Sequence, residues 1–347
     1  MTRGRLLVMR NVVMRAVTFA LCVWAATPAP SQTVSNAAGG IKIQKIRRNV
    51  FMLIGDGANI TLQVEPPAGE ESFDSVYGGD KGVLVVDTGV AAMSGQLLAA
   101  IRELSGGPIR YVINTSADAD HVGGNEALAK ASGGIVRGAL GGRPPSAPLM
   151  ILAHESVLER MGAPSGQRPA APLDAWPTDV YAKGKEAFFN GGSIQMIHQP
   201  GAHGDGDSIV YLRRSDVISA GELFSTVNFP MIDAARGGHI QGIIDGLNRI
   251  LDLAIPGEKE QGGTMIVPAH GRLSDEADVE FYREMVQIVR DRIQDGIRSG
   301  MTLDQMRAAK PALEYDRRYS KPDWTADMFV EAVYRDLVQS KPQGKSR

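Results

Sequence analysis

The first half of the chain carries strand patterns, and the last quarter shifts to helical spacing. Val50 to Ile54 is an apolar run, and Ile60 to Val64 alternates, both marks of strands. Val83-Leu84-Val85-Val86 is unbroken between Gly82 and Asp87-Thr88-Gly89, which suits a strand buried on both faces. Leu97, Leu98, Ile101 and Leu104 then fall at helical spacing within Gly89 to Leu104. Ile109 to Ile113 predicts the next strand, so this region reads β-hairpins and then β-α-β. Strands are predicted again at Ser193 to His198, Ser208 to Leu212, Asp216 to Ala220 and Thr264 to Val267, with a helix at Ile240 to Leu253. Ala277 to Arg298, Leu303 to Ala309 and Thr325 to Val338 predict helices. Residues 141–178 interrupt the pattern with seven prolines. They predict a lid or substrate loop, with one helix at His154 to Met161.

Composition narrows the class. The chain has 347 residues, 43% hydrophobic and 22% charged, with a formal net charge of −2. These are the proportions of a soluble globular protein, and the charge gives no general affinity for nucleic acid or anionic membrane. Arg3, Arg5, Arg10 and Arg15 precede an apolar run from Ala16 to Ala26, and small and turn residues follow to Gln32. That order predicts a signal peptide over 1–31. The run is too short for a spanning helix of ~20 residues, so no membrane span is expected after cleavage. The single cysteine, Cys22, lies within this segment. A cleaved chain therefore has neither disulfides nor a thiolate nucleophile or ligand. Residues 32–45 read as a linker, 46–275 as the main domain and 276–347 as a C-terminal helical segment packing on it.

Chemistry collects at strand ends. Asp118, Asp120 and His121 follow the Ile109–Ile113 strand and precede Gly123-Gly124. His203 lies in a Gly/Asp-rich turn, Glu222 ends the strand before Leu223-Phe224, and His270 follows Pro268-Ala269. Loops at one sheet edge share a space, so these groups can converge. Each also has a plain structural role open to it: a cap for the helix through Asn125, a backbone hydrogen bond, or a buried imidazole. Ser116 suits loop support, because a neutral hydroxyl is a poor metal ligand. His198 suits packing or support of a ligand, His154 a helix start, and His239 a glycine loop facing the site.

Five segments together resemble the metallo-β-lactamase-fold hydrolase superfamily. They are Gly82 to Gly89, Asn114 to Asn125, Ala202 to Ser208, Gly221 to Phe224, and Ile266 to Gly271. The resemblance covers roughly residues 45–290 and implies an α/β fold. Its form is an αββα sandwich of two mixed β-sheets flanked by helices, here with a C-terminal helical extension. It implies a metal site with His-x-His-x-Asp-His at its heart. In this chain Ser116 and Asp118 replace the first two histidines of that motif. Asp120, His121 and His270 match the ligands of one ion. His203 matches the surviving ligand of the other, and Glu222 stands at the bridging position. The implied ligands are thus Asp120, His121, His203, Glu222 and His270, with Asp118 as a further candidate. The cofactor expected is one tight divalent ion, zinc first, with iron or manganese as the alternatives and a second ion in question.

The resemblance implies a metal-dependent hydrolase, and the predicted signal peptide makes it an exported one, periplasmic or secreted. Metal-activated water would act on a small ester, thioester, lactone or amide, with Asp120 as the catalytic carboxylate. β-Lactam hydrolysis is not expected as its main activity, because two ligand histidines are missing. The 141–178 segment and the Asn228-Phe229-Pro230 loop are expected to shape the pocket. The rival is a binding protein on the same fold that has lost hydrolysis; a redox iron protein is a weaker third.

Overall fold

The fold was established from a computed structural model, which describes residues 34–36, 40–66, 81–134, 148–163, 170–259 and 262–339. The expected signal segment and parts of the 141–178 segment lie outside these residues. Residues Gln32–Arg347 form one compact unit.

Two sheets carry the fold. The first has eight strands in sequential order: β1 (Val34–Asn36), β2 (Lys42–Arg47), β3 (Val50–Ile54), β4 (Ile60–Gln63), β5 (Val83–Val86), β6 (Ile109–Asn114), β7 (Met150–His154) and β8 (Asp179–Tyr181). It is antiparallel up to β5 and parallel from β5 to β8. The second sheet has five strands: β9 (Gly184–Phe189), β10 (Gly192–His198), β11 (Ser208–Leu212), β12 (Val217–Ser219) and β13 (Met265–Val267). Only β12 and β13 pair in parallel there. Helices α1 (Ser94–Leu104), α2 (Ala119–Val122), α3 (Asn125–Ala131) and α4 (Glu155–Gly162) follow strands of the first sheet. Helix α5 (Ile240–Leu253) connects β12 to β13. After β13 come α6 (Glu276–Arg298), α7 (Leu303–Ala309), α8 (Leu313–Tyr319) and α9 (Ala326–Gln339).

Alternation along the strands explains the layers. Val83 and Val85 pack into a core with Leu97, Ile101 and Leu128 of the helices, while Leu84 and Val86 point the other way, into the core between the sheets. β11 divides likewise: Val210 and Leu212 meet the first sheet, and Ile209 and Tyr211 meet Ile243, Leu247 and Val286. A period of two thus feeds two apolar cores from one strand. The result is the expected αββα sandwich. The C-terminal segment packs on it: Tyr282, Met285, Phe329 and Val333 share a core with Phe224 and Ile243. Among the described residues, no helix is long and apolar enough to cross a membrane.

Several elements depart from the sequence expectation. Strands β1 and β2 fall within 34–47, so half of the expected linker pairs into the first sheet. The Lys-Ile-Gln-Lys-Ile-Arg sequence of β2 buries Ile43 and half-buries Ile46 among four polar residues, which masks its alternation. β9 is an edge strand with alternate residues exposed, and its charges hid it in the same way. Phe229 is buried and stacks on Phe329 at 4.9 Å, so the Asn228-Phe229-Pro230 loop anchors the C-terminal helices rather than shaping a pocket.

Candidate metal centre

The parallel strands deliver their ends to one edge of the sandwich. Ser208 N donates to Thr115 O, which ties the start of β11 to the loop after β6. Gly221 then turns the chain beneath Thr115. Its φ is +55°, and a Cβ there would lie 2.8 Å from the Thr115 hydroxyl. Only glycine fits both the conformation and the space, and Glu222 is aimed inward as a result.

His121 is fully buried at this edge, held by carboxylates on both sides. Its Nδ1 lies 2.9 Å from Asp87 Oδ2, and its Nε2 lies 2.6 Å from Glu222 Oε1. Asp87 is fixed in turn by Thr115, through N to Oδ1 at 2.8 Å and Oγ1 to Oδ2 at 2.6 Å. Asp87 sits in the left-handed region, with φ of 61°, a conformation that costs energy for a non-glycine residue and is held here by these bonds. Burial opposes a charge on His121, but Asp87 and Glu222 outweigh it and hold the imidazole well above its ordinary value. Glu222 shows the converse: burial favours its neutral form, yet bonds from His121 and His270 hold it well below the usual carboxylate range.

Around Glu222 the spacing is that of a ligand shell. His270 Nε2 lies 3.3 Å from Glu222 Oε1 and 3.6 Å from Asp120 Oδ2. Donor atoms of Asp120, Glu222 and His270 all lie within 4.8 Å of one another. Two ligands on a tetrahedral ion at ~2.1 Å stand about 3.4 Å apart, so the His270 contacts fit an ion between them. The His121–Glu222 contact is a hydrogen bond, and its proton must leave before Nε2 can ligate. Asp87 already holds the Nδ1–H, which leaves Nε2 as the ligating nitrogen. Two carboxylates and two imidazoles converging at a cavity edge fit a divalent cation.

The other side of the site is built differently. His203 Nε2 donates to Asp118 Oδ2 at 2.8 Å, and its Nδ1 donates to Met231 O at 3.1 Å. Arg236 Nη1 lies 2.8 Å from Asp118 Oδ1, and its Nε pairs with Asp233. Ser116 Oγ donates to Asp118 Oδ2 at 2.9 Å. Burial lowers His203, but the Asp118 bond and the Asp207, Glu222 and Asp118 charges lift it to about 10. Burial raises Asp118, but His203 and Arg236 hold it well below the usual range.

The cavity between the two sides has a volume of about 430 Å³. Asp120, Glu222 and His270 face it from one side, Asp118, His203 and Arg236 from the other, and Met231, Ile232 and Trp324 supply apolar wall. Of the residues expected at the site, Asp120, Glu222 and His270 come together, and His121 joins them through Glu222. His203 and Asp118 are joined to each other. Ser116 supports their loop. His198 and His239 do not line the cavity. His198 donates to Asp205 O at 2.8 Å and stacks on His154 at 3.7 Å. His239 Nδ1 meets Asp336 Oδ1 at 2.8 Å and caps the docking of the C-terminal helix.

Sequence reasoning missed Asp87, Arg236 and Trp324 as site residues. Asp87 was within reach, since it ends a buried strand beside the motif. Arg236 had one indirect signal: a carboxylate at position 118, where an imidazole is usual, calls for a cation.

A family model for the metallo-beta-lactamase superfamily matches residues 71–272. The chain belongs to the metallo-β-lactamase superfamily. Membership implies divalent-metal binding, and the Asp120–Glu222–His270 cluster is a candidate ligand set for it. Among solved structures, the chain resembles the stereoselective inverting sec-alkylsulfatase Pisa1 from Pseudomonas sp., with a TM-score of 0.59 and 16% identity over 88% of this chain. The match covers 52% of that sulfatase, so the chain spans about half of its length. It also resembles the DIM-1 metallo-beta-lactamase, with a TM-score of 0.50 and 15% identity, covering 74% of this chain and 99% of that one. At these identities the likeness is one of fold. A search of the curated proteins gave no match.

Proposed function

We infer that the chain is a metal-dependent hydrolase of small esters, thioesters, lactones or amides. The observation that carries this reading is the convergence of Asp120, Glu222 and His270 at ligand spacing on a cavity wall, with His121 held behind them by Asp87. Zinc suits the mixed imidazole and carboxylate set best, with iron or manganese as the alternatives. An ion there would lower the pKa of a bound water and oppose negative charge on the carbonyl oxygen.

The chain's residues supply the rest. Asp120 orients the attacking water from the cavity wall. Glu222 and His270 would hold the ion, and Asp87 sets the tautomer of His121. Met231, Ile232 and Trp324 take the apolar part of a substrate and exclude water around it. As the water oxygen bonds to the carbonyl carbon its proton passes to Asp120; the bond to the leaving group then breaks, and Asp120 returns that proton to the leaving group.

Export belongs to the same reading: the arginine-rich start, the short apolar run and the small residues after it support a cleaved signal. N-terminal sequencing of the processed protein checks this, and an intact Met1–Ser31 segment would contradict it.

The decisive test prepares the protein metal-free, restores zinc, manganese or iron, and assays the four substrate classes. A secondary alkyl sulfate joins the panel because the sulfatase shares the fold. Retained metal with turnover that Asp120→Ala abolishes supports the reading. Retained metal without turnover would favour the non-catalytic binding protein, and no retained metal would remove both.

A further inference from the structure

The superfamily resemblance places a second ion where Ser116, Asp118 and His203 converge. In this structure Asp118 is paired with a guanidinium. Arg236 Nη1 sits 2.8 Å from Asp118 Oδ1, while Asp118 Oδ2 takes the His203 Nε2 proton at 2.8 Å. Both Asp118 oxygens are therefore engaged, and so are both His203 nitrogens, since Nδ1 is donated to Met231 O. With Nδ1 donated to Met231 O, Nε2 is the one His203 nitrogen open to a metal, and the Asp118 bond occupies it.

The arginine is aimed there by its backbone. Residues Ala234–Arg236 form a single 3₁₀ turn capped by Asp233, whose carboxylate accepts from Arg236 N at 3.1 Å and also holds Nε. Gly237 ends the turn in the left-handed region at φ 78°. Asp233 N donates to His203 O at 2.9 Å, which fastens this turn to the His203 loop. From the other side, Arg160 Nη2 donates to Arg236 O at 3.0 Å. A planar fork held at its base and along its edge is a rigid cation.

We propose that Arg236 is the fixed replacement for the second metal ion, so that this protein binds a single divalent ion and leaves its other half-site closed by a guanidinium. The half-site then keeps a positive charge between Asp118 and the cavity without any metal. The Ser116 and Asp118 substitutions fit together on this account. An imidazole at 118 offers a neutral lone pair, which a guanidinium cannot use as an ion pair, whereas a carboxylate can. Arg236 acts through Asp118 and His203 and is a positioning residue.

The proposal rests on the metal-hydrolase reading, and metal stoichiometry tests the two separately. Metal-free wild type is titrated with Zn²⁺ by calorimetry and, after desalting, its metal content is measured. Co²⁺ spectra report the ligand field of each site. Arg236→Ala and the triple variant Ser116→His/Asp118→His/Arg236→Ala are run alongside, with thermal melts to show folding. The expected result is one ion on wild type with an unchanged first-site Co²⁺ spectrum in Arg236→Ala, which gains a second, weaker ion; the triple variant should bind two. Arg236→Lys, which keeps the charge, should still bind one. Two ions retained by wild type would overturn this inference while leaving the hydrolase reading intact. A folded Arg236→Ala that binds only one ion would also overturn it. No ion on wild type would remove the hydrolase reading, and this inference with it.

Discussion

One cavity has two halves that use similar residue types for opposite ends. On the Asp120 side, carboxylates and imidazoles face one another at spacings an ion can fill, 3.3 and 3.6 Å about His270. On the Asp118 side, a carboxylate and an imidazole are closed on each other and on Arg236, at 2.8 Å in each contact. The first half has charges that need a cation from outside. The second carries its cation in the chain. What separates them is that Arg236 already pairs with Asp118, whereas Asp120 and Glu222 face only imidazoles, whose nitrogens can turn to a metal once a proton leaves. Residue type alone does not mark a ligand.

The largest effect that would sharpen this contrast is on the open half. Asp120→Ala should lose hydrolysis by on the order of 10³-fold, the scale of removing a group that serves the charge of the transition state, and should lose metal in the same preparation. Steady-state rates with metal content check both.

Next is the support behind His121. Asp87→Asn keeps the shape but not the charge on Nδ1, and metal affinity should fall about 10–100-fold, the usual cost of losing a ligand's partner. Competition with a chelator measures it. An unchanged affinity would mean that Asp87 serves only the fold.

The closed half should respond in stability and not in affinity for the first ion. Asp118→Asn removes a charge from both Arg236 and His203, and should cost about 1–3 kcal/mol in a denaturant melt, the price of leaving buried partners unsatisfied. Affinity for the first ion should hold. A loss of affinity as large as that from Asp87→Asn would erase the distinction between the halves.

The smallest effect is a pH dependence behind His203. Burial is the main cause that pushes Asp207 from 3.8 up to about 6. Its folded pKa lies above its unfolded one, so folding takes up a proton there and stability falls as pH rises from about 4 to about 6. Asp207→Asn removes that loss, so the variant's stability relative to wild type, read in denaturant melts, should rise between pH 4 and pH 7. A difference flat with pH would contradict the burial argument.

Much of this was legible in the chain because its signals are local. Val83 to Val86 announced a strand buried on both sides, and it feeds two cores. The Asp120-His121 pair, Glu222 and His270 each end a strand, so the sandwich edge gathers them. The Asp118–Arg236 pair was not legible: the partners lie in separate loops, and nothing beside Arg236 marks it as part of a site. Strands β2 and β9 were hidden by charges on their exposed faces. The short helix α8, Leu-Glu-Tyr-Asp-Arg-Arg-Tyr, buries only its last residue, too little for an apolar stripe to show.

The contrast comes down to two histidines that look alike in sequence. The most direct measurement is the zinc content of His270→Ala and His203→Ala, purified side by side and desalted after loading. An asymmetric site predicts that His270→Ala loses the ion and His203→Ala keeps one. Loss of the ion from both, or from His203→Ala alone, would contradict it.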